Sequence, residues 1–249
     1  MWARKAKPFC GANCGEVKCW AAAARADNSL AGFPICPPEL VHQLAVNNLQ
    51  VDQDTVTDGN CGPDGFVISL AHQRSLAKVA AATPTAAKKM QALSKIAVAG
   101  PGRRRFARQE GVRWLREHRS AMLQSGYTTE AFCYAVSGRT FESWDRKMFM
   151  DGEWADTALV LGMACAFGVD VVIFQVGMDP AVVGVGLLEE TGPDKASMGQ
   201  SKRVVPMALA NDRHWWGLRS LEDSELLHLG WVLALHEHII GGLKKGCIR

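Results

Sequence analysis

One cysteine in this sequence sits where its thiol can do covalent chemistry. Cys61 closes a polar, glycine-rich turn, Asp58-Gly59-Asn60, and opens a run, Gly62 to Ala71, whose apolar part from Phe66 reads as a helix. A thiol attacks carbonyls as its thiolate, and a helix amino terminus favours that anion through unpaired backbone N–H groups and a partial positive charge. The turn itself contributes. Glycine reaches dihedrals closed to other residues, and Asp and Asn tolerate the left-handed region, so such a turn can aim N–H groups at one point, as in an oxyanion hole. On this stretch alone a structural cysteine is an equal alternative.

The stretch Asp58-Gly59-Asn60-Cys61 resembles the cysteine box of the ovarian-tumour (OTU) family of deubiquitinating cysteine proteases, in which Asp-Gly-Asn-Cys opens the catalytic helix. Two further features follow in the family's order. The run Asp151 to Leu161, containing Trp154 and leading into Val171-Val172-Ile173-Phe174, is similar to the family's Trp-led helix and the buried strand after it. His214, in Asn211-Asp212-Arg213-His214-Trp215-Trp216, is similar to the family's His followed by an aromatic. Together these features span roughly residues 50 to 220.

The resemblance implies an α/β papain-like OTU cysteine protease fold, a small mixed sheet flanked by helices. It implies Asp58, Cys61 and His214 as catalytic residues, with the backbone of Gly59 and Asn60 in the oxyanion turn. His214 then withdraws the Cys61 proton, the thiolate attacks the carbonyl of a modifier's terminal glycine, and water releases the acyl-enzyme. The implied partner is ubiquitin or a ubiquitin-like modifier, and this chemistry needs no metal or cofactor. Trp215 and Trp216 are candidate walls for the channel that a Gly-Gly tail threads, with core aromatics as the equal alternative.

Two departures from the family pattern carry expectations. The family has a large apolar residue directly after the cysteine, whereas this chain has Gly62-Pro63-Asp64-Gly65 before Phe66, which predicts a longer turn. The family usually has an Asp or Asn two residues after the histidine, on the same strand face. Trp216 stands there, and an indole donates but cannot accept the imidazole N–H. Asp212, Asn211 and Asp58 are the candidates to orient His214 in its place, Asp58 mainly by holding the turn. These departures keep two alternatives open, a ubiquitin-binding module that has lost catalysis and another papain-like acyl-transfer cysteine enzyme.

Composition narrows the class. At 249 residues the chain divides into a Cys-containing extension over 1–36, the OTU-like domain over 37–220, and a carboxyl-terminal helix over 221–249 packed on that domain. A net charge of +3 with 21% charged residues is too mild to argue for nucleic acid. The longest apolar run, Ala158 to Val169, is interrupted by glycine and falls short of the ~18 residues of a membrane span. At the amino terminus Arg4, Lys5 and Lys7 are followed by Pro8 and scattered cysteines, not by the apolar core of a secretion signal. The 8 cysteines are too few and uneven for a disulfide scaffold, so an intracellular site, cytoplasmic or nuclear, is expected. Cys10, Cys14, Cys19 and Cys36, with His42 nearby, approach zinc-ligand spacing without a regular Cys-x-x-Cys pair, and idle thiols are the favoured reading. His228, His236 and His238 in the tail lack a carboxylate or cysteine partner at ligand spacing. Oligomeric state is open.

The elements that must position Cys61 and His214 follow from periodicity and punctuation. A helix runs from Pro38 to about Asn48, and an extended stretch over 49–57 leads to the turn. Residues 75–99 suggest two short helices with a break at Pro84. Gly100 to Arg108 reads as a loop with a solvated basic edge, then a helix marked by Val112, Leu115, Met122 and Leu123 that Gly126 ends. Thr129 to Val136 and Phe141 to Met150 read as short helices, with Phe132, Tyr134, Phe141, Trp144 and Phe149 as core. Trp154, Ala158, Leu161 and Cys165 share one helical face, and Gly168 caps it. Val171 to Phe174, Val182 to Leu188, Arg203 to Leu209 and His214 to Leu218 read as strands, with a turn at Asn211-Asp212. A capping box at Ser220 and Asp223 opens the tail helix, which runs to about Ile240.

Overall fold

The computed structural model describes residues 36–51, 55, 58–72, 84–96, 101–189, 204–210 and 214–220. The cysteines at 10, 14 and 19, the Asn211-Asp212 turn and the tail helix with its three histidines lie outside the described residues.

Among the described residues seven helices and five strands follow in the order α1 (Pro38–Val46), β1 (Leu49–Val51), α2 (Cys61–His72), α3 (Pro84–Lys95), α4 (Gly102–Glu117), α5 (Thr129–Ser137), α6 (Phe141–Met148), α7 (Thr157–Phe167), β2 (Asp170–Gln175), β3 (Ala181–Gly184), β4 (Val204–Ala210) and β5 (His214–Ser220). The strands form one mixed sheet in the order β1-β5-β4-β2-β3, with β2 and β4 parallel and the other neighbours antiparallel. The expected class, a small mixed sheet flanked by helices, is the one observed.

Strand alternation sorts the sheet into two apolar faces. Val171, Ile173, Val205, Met207, Leu209 and Trp215 join the larger core with α2, α4 and α7. Val172, Phe174, Val204, Ala208, Ala210, Trp216 and Leu218 join Leu40, Leu44 and Leu49 in a second core on the other side. That is why β2 reads as a continuous apolar run, covered on both faces.

α7 is buried on every side from Ala158 to Phe167, as its all-round apolar sequence requires. Each of Leu159, Leu161, Met163 and Phe167 contributes about 1.5–3 kcal/mol by leaving water. Asp156 caps the helix start. Its Oδ1 accepts from Leu159 N–H at 2.9 Å and its Oδ2 from Trp144 Nε1–H at 2.8 Å. Gly168 ends it at φ 65°, as the sequence predicts. Trp154, expected on the helix face, lies before the cap instead and is 47% exposed.

Other expectations change for identifiable reasons. α4 stops at Glu117, short of the predicted Gln124, because Met122 and Leu123 form bridges to Thr128 and Leu188 in a chain reversal. The predicted strand over Val182 to Leu188 breaks at Gly184, where φ is 142°, and a 3-10 turn follows over Val185–Leu187. Of the two short helices expected over 75–99, the second is present as Pro84–Lys95, starting at the expected break, and the first lies outside the described residues. Phe141 and Trp144 are core, whereas Tyr134 and Phe149 are exposed. The basic stretch is no solvated edge at its inner positions, since Arg103 and Arg108 are buried. Among the described residues no helix is long and apolar enough to cross a membrane.

Two close approaches set the scaffold under the cysteine. Helix α2 lies on β5 through Gly65 and Gly217, since a Cβ on Gly65 would stand 2.8 Å from Gly217 N and one on Gly217 2.8 Å from Gly65 O. Helices α4 and α7 touch at Gly111 and Gly162, where a Cβ on Gly162 would stand 2.5 Å from Gly111 O. An alanine at 162 gains about 1 kcal/mol of helix propensity but meets a backbone carbonyl that cannot swing away, at a cost of about 1–3 kcal/mol. Gly162→Ala is therefore expected to be net destabilising, read as a lower urea midpoint with an unchanged m-value.

Candidate active site

The turn before Cys61 is held by its own side chains. Asp58 Oδ1 accepts from Asn60 N–H at 3.2 Å, an Asx-type turn, and Oδ2 accepts from Arg104 Nη2 at 3.3 Å. Gly59 takes φ 83°, and a Cβ on it would lie 2.0 Å from Gly152 O, so both conformation and space demand glycine. Asn60 turns its side chain the other way. Its Oδ1 accepts from Gly152 N–H and from Arg108 Nη2, both at 3.1 Å.

The Asn60 carbonyl accepts from Asp64 N–H at 2.9 Å, the first bond of α2. The helix thus starts at Cys61, and the Gly-Pro-Asp-Gly insertion lengthens no turn. Pro63 falls within the first turn, where an amide has no intrahelical acceptor to lose. Gly62 and Gly65 are needed for closeness, because a Cβ on Gly62 would stand 2.4 Å from Ala155 Cβ and 3.2 Å from Trp215 Cδ1.

Arg108, on α4, fills the space behind this turn. Its Nη1 donates to Met148 O at 3.1 Å, and its Nη2 is within bonding distance of Gly59 O at 3.1 Å, Asn60 Oδ1 at 3.1 Å and Glu153 O at 2.6 Å. Burial pulls the guanidinium pKa down, opposed chiefly by Asp151 and also by Glu153 and Asp156. Arg105 adds an outer ion pair to Asp151 at 3.0 Å.

Cys61 is 0% exposed. Burial pushes its thiol pKa up, while the backbone amides of Trp215, Gly62 and Cys61 itself, and then the Arg108 charge, pull it back. The net direction is upward, so the resting group is a thiol. His214 is also buried, and desolvation lowers its pKa, so the resting imidazole is neutral. Its ring meets Trp216 edge-on with centroids 4.5 Å apart, and its Nε2 has no hydrogen-bond partner among the described residues.

The fold brings the expected residues to one end of the sheet. Asp58, Gly59, Asn60 and Cys61 form one turn, and His214 starts β5 directly before Trp215, whose amide reaches the sulfur. Two expectations change. The Asn60 N–H is occupied by Asp58, which leaves the amides of Cys61 and Gly62 to face an anion. Both Asp58 oxygens are engaged, with Asn60 and Arg104, within the turn it is expected mainly to hold. Trp215 and Trp216 are 1% and 5% exposed on opposite faces of the sheet, core aromatics and not channel walls. Trp215 donates Nε1–H to Ala155 O at 2.9 Å. Asn211 and Asp212 lie outside the described residues.

Sequence reasoning missed Arg108, Gly152 and Asp156. Arg108 did carry a signal, since it is in helical phase with Val112 and Leu115 and so faces the core.

No family model matches the chain, and no curated protein matches it either. Among solved structures it is similar to the OTU domain of OTUD1, at 15% identity and a TM-score of 0.42, covering 72% of this chain and 91% of that one. It is also similar to an OTU deubiquitinase from Wolbachia pipientis wMel, at 13% identity and a TM-score of 0.42, covering 74% and 95% of the two chains. The same Wolbachia protein bound to ubiquitin overlaps at 12% identity and a TM-score of 0.40, covering 70% and 98%. Likeness at this level assigns neither family nor activity.

The direction of the His214 shift gives a pH dependence. A folded-state pKa below the unfolded value of about 6.5 means that the unfolded chain binds the proton first as pH falls. Stability is full above that pH, declines as pH drops through it, and levels off below the folded-state value. Urea unfolding between pH 7.5 and 5 is expected to show a smaller decline for His214→Gln than for the wild type.

Proposed function

We propose that the chain is a thiol-dependent isopeptidase, a deubiquitinase of the OTU type, that cleaves ubiquitin or a ubiquitin-like modifier after its terminal glycine. The observation that carries this reading is the placement of Cys61, buried, at the first residue of α2, where Gly62 packs against Trp215 of β5 and a buried imidazole, His214, stands on the residue before that tryptophan. The substrate class rests on the Asp58-Gly59-Asn60-Cys61 box and the His214-Trp215 pair.

Both groups rest uncharged in this reading. As the substrate carbonyl arrives, His214 takes the Cys61 proton and the sulfur forms its bond to the carbonyl carbon. In this reading the amides at the start of α2 stabilise the developing oxyanion, and as backbone groups they cost no reorganisation. His214 then returns the proton to the leaving amine of the isopeptide bond. A water, activated by the same imidazole, releases the modifier's carboxylate and restores the thiol.

A second reading is favoured by two specific observations. Cys61 has no exposed surface, and His214 Nε2 has no hydrogen-bond partner among the described residues. Both suit a ubiquitin-binding module without turnover.

Cys61→Ala and His214→Ala are each expected to lower hydrolysis of a fluorogenic ubiquitin substrate by on the order of 10³-fold or more, since nucleophile and base act as a unit. Circular dichroism is expected to be unchanged. Substantial turnover by Cys61→Ala would sink the proposal. A wild-type protein that binds ubiquitin reversibly without turnover would select the second reading.

A further inference from the structure

A guanidinium with no exposed surface has to be surrounded by acceptors, and those around Arg108 come from two separate segments of the chain. Gly59 O and Asn60 Oδ1 belong to the turn that sets Cys61, whereas Met148 O and Glu153 O belong to the loop that leads to α7. The two segments also meet directly, through Gly152 N–H on Asn60 Oδ1 and the close approach of Gly59 to Gly152 O. Arg108 therefore sits behind the seam between them, on a third element, α4.

We propose that Arg108 is a positioning residue of the Cys61 centre, holding the 58–60 turn against the 148–153 loop so that the amino terminus of α2 keeps its N–H groups on the sulfur. The proposal rests on reading Cys61 as the nucleophile, but not on the identity of the substrate. The dihedrals of Gly59 and Asn60 set the direction of the amides that follow them, and Arg108 binds both residues. Its charge also acts on the sulfur, lowering the thiol pKa against burial. A lysine has a point charge and no planar fork, so it cannot reach across both segments as the guanidinium does.

The other charged and titratable groups near this pair are Asp151, Glu153 and Asp156 from the loop, Asp58 and Arg104 at the turn, and His214 from β5. His214, its pKa lowered by burial, is neutral above pH 7, and differencing each protein against its Cys61→Ala form removes the background of the other groups.

The test compares wild type, Arg108→Lys and Arg108→Met. The Cys61 thiolate is titrated by its absorbance near 240 nm, each protein differenced against its own Cys61→Ala form, which needs neither substrate nor access to the sulfur. Melting temperature is recorded for all. The Met variant is expected to raise the titration midpoint by about one pH unit, a tenfold loss of thiolate at a given pH. The Lys variant is expected to raise it by less, because charge is kept while the turn is released. A merely structural arginine would lower the melting temperature and leave the midpoint in place. If the Met variant does not fold, the Lys variant decides. A folded variant of either kind with the wild-type midpoint overturns the proposal, and a failure of ubiquitin turnover would bear on the proposed function alone.

Discussion

A buried positive charge constrains everything around it. Taking a guanidinium out of water costs several kcal/mol, and it stays ionised inside a fold only when acceptors surround it. Arg108 meets that requirement at Nη1 and Nη2 with three backbone carbonyls and one side-chain amide oxygen, while its Nε has no partner among the described residues. The position of those carbonyls is then no longer free. Gly59 must adopt a positive φ, Gly152 must lie against it without a side chain between, and Asn60 must spend its Oδ1 on the seam. The start of α2 inherits its direction from these constraints.

From that direction follows the chemistry. α2 lies close on β5 because Gly65 and Gly217 remove two side chains at the contact, and the closeness brings the Trp215 amide to the sulfur. Three N–H groups and one distant cation oppose a desolvation that would otherwise hold the thiol firmly protonated. They do not overcome it, and burial likewise keeps His214 neutral. In the proposed mechanism the charge pair thus forms only as the substrate arrives, where the same amides stabilise it.

The fold was legible where one physical signal dominated. The continuous β-branched run at Val171 to Phe174 could only be a strand covered on both faces, and Gly168 marked the helix end through its left-handed backbone. The cysteine turn was legible for the same reason, since Asp, Gly and Asn each have a conformational use there. What escaped was decided by contacts distant in sequence. Gly62 and Gly65 read as a loosened turn, yet they exist because β5, about 150 residues later, needs the space. Arg103 and Arg108 read as a basic edge because charge was weighed above helical phase. Trp215 and Trp216 were placed at a channel by motif order, whereas strand alternation sends them into two different cores.

The central claim is that Cys61 and His214 form one reacting centre, and its most direct test is a crystal structure of the adduct with a ubiquitin carrying a carboxyl-terminal electrophile. The account predicts a covalent bond from Cys61 Sγ to the end of the ubiquitin tail, with a His214 ring nitrogen within hydrogen-bond reach of the reacting atoms. It also predicts the Cys61 and Gly62 amides turned toward the position that the oxyanion of the attacked carbonyl takes. An adduct on any other cysteine, or one on Cys61 with both His214 ring nitrogens beyond hydrogen-bond reach of the reacting atoms, would contradict it.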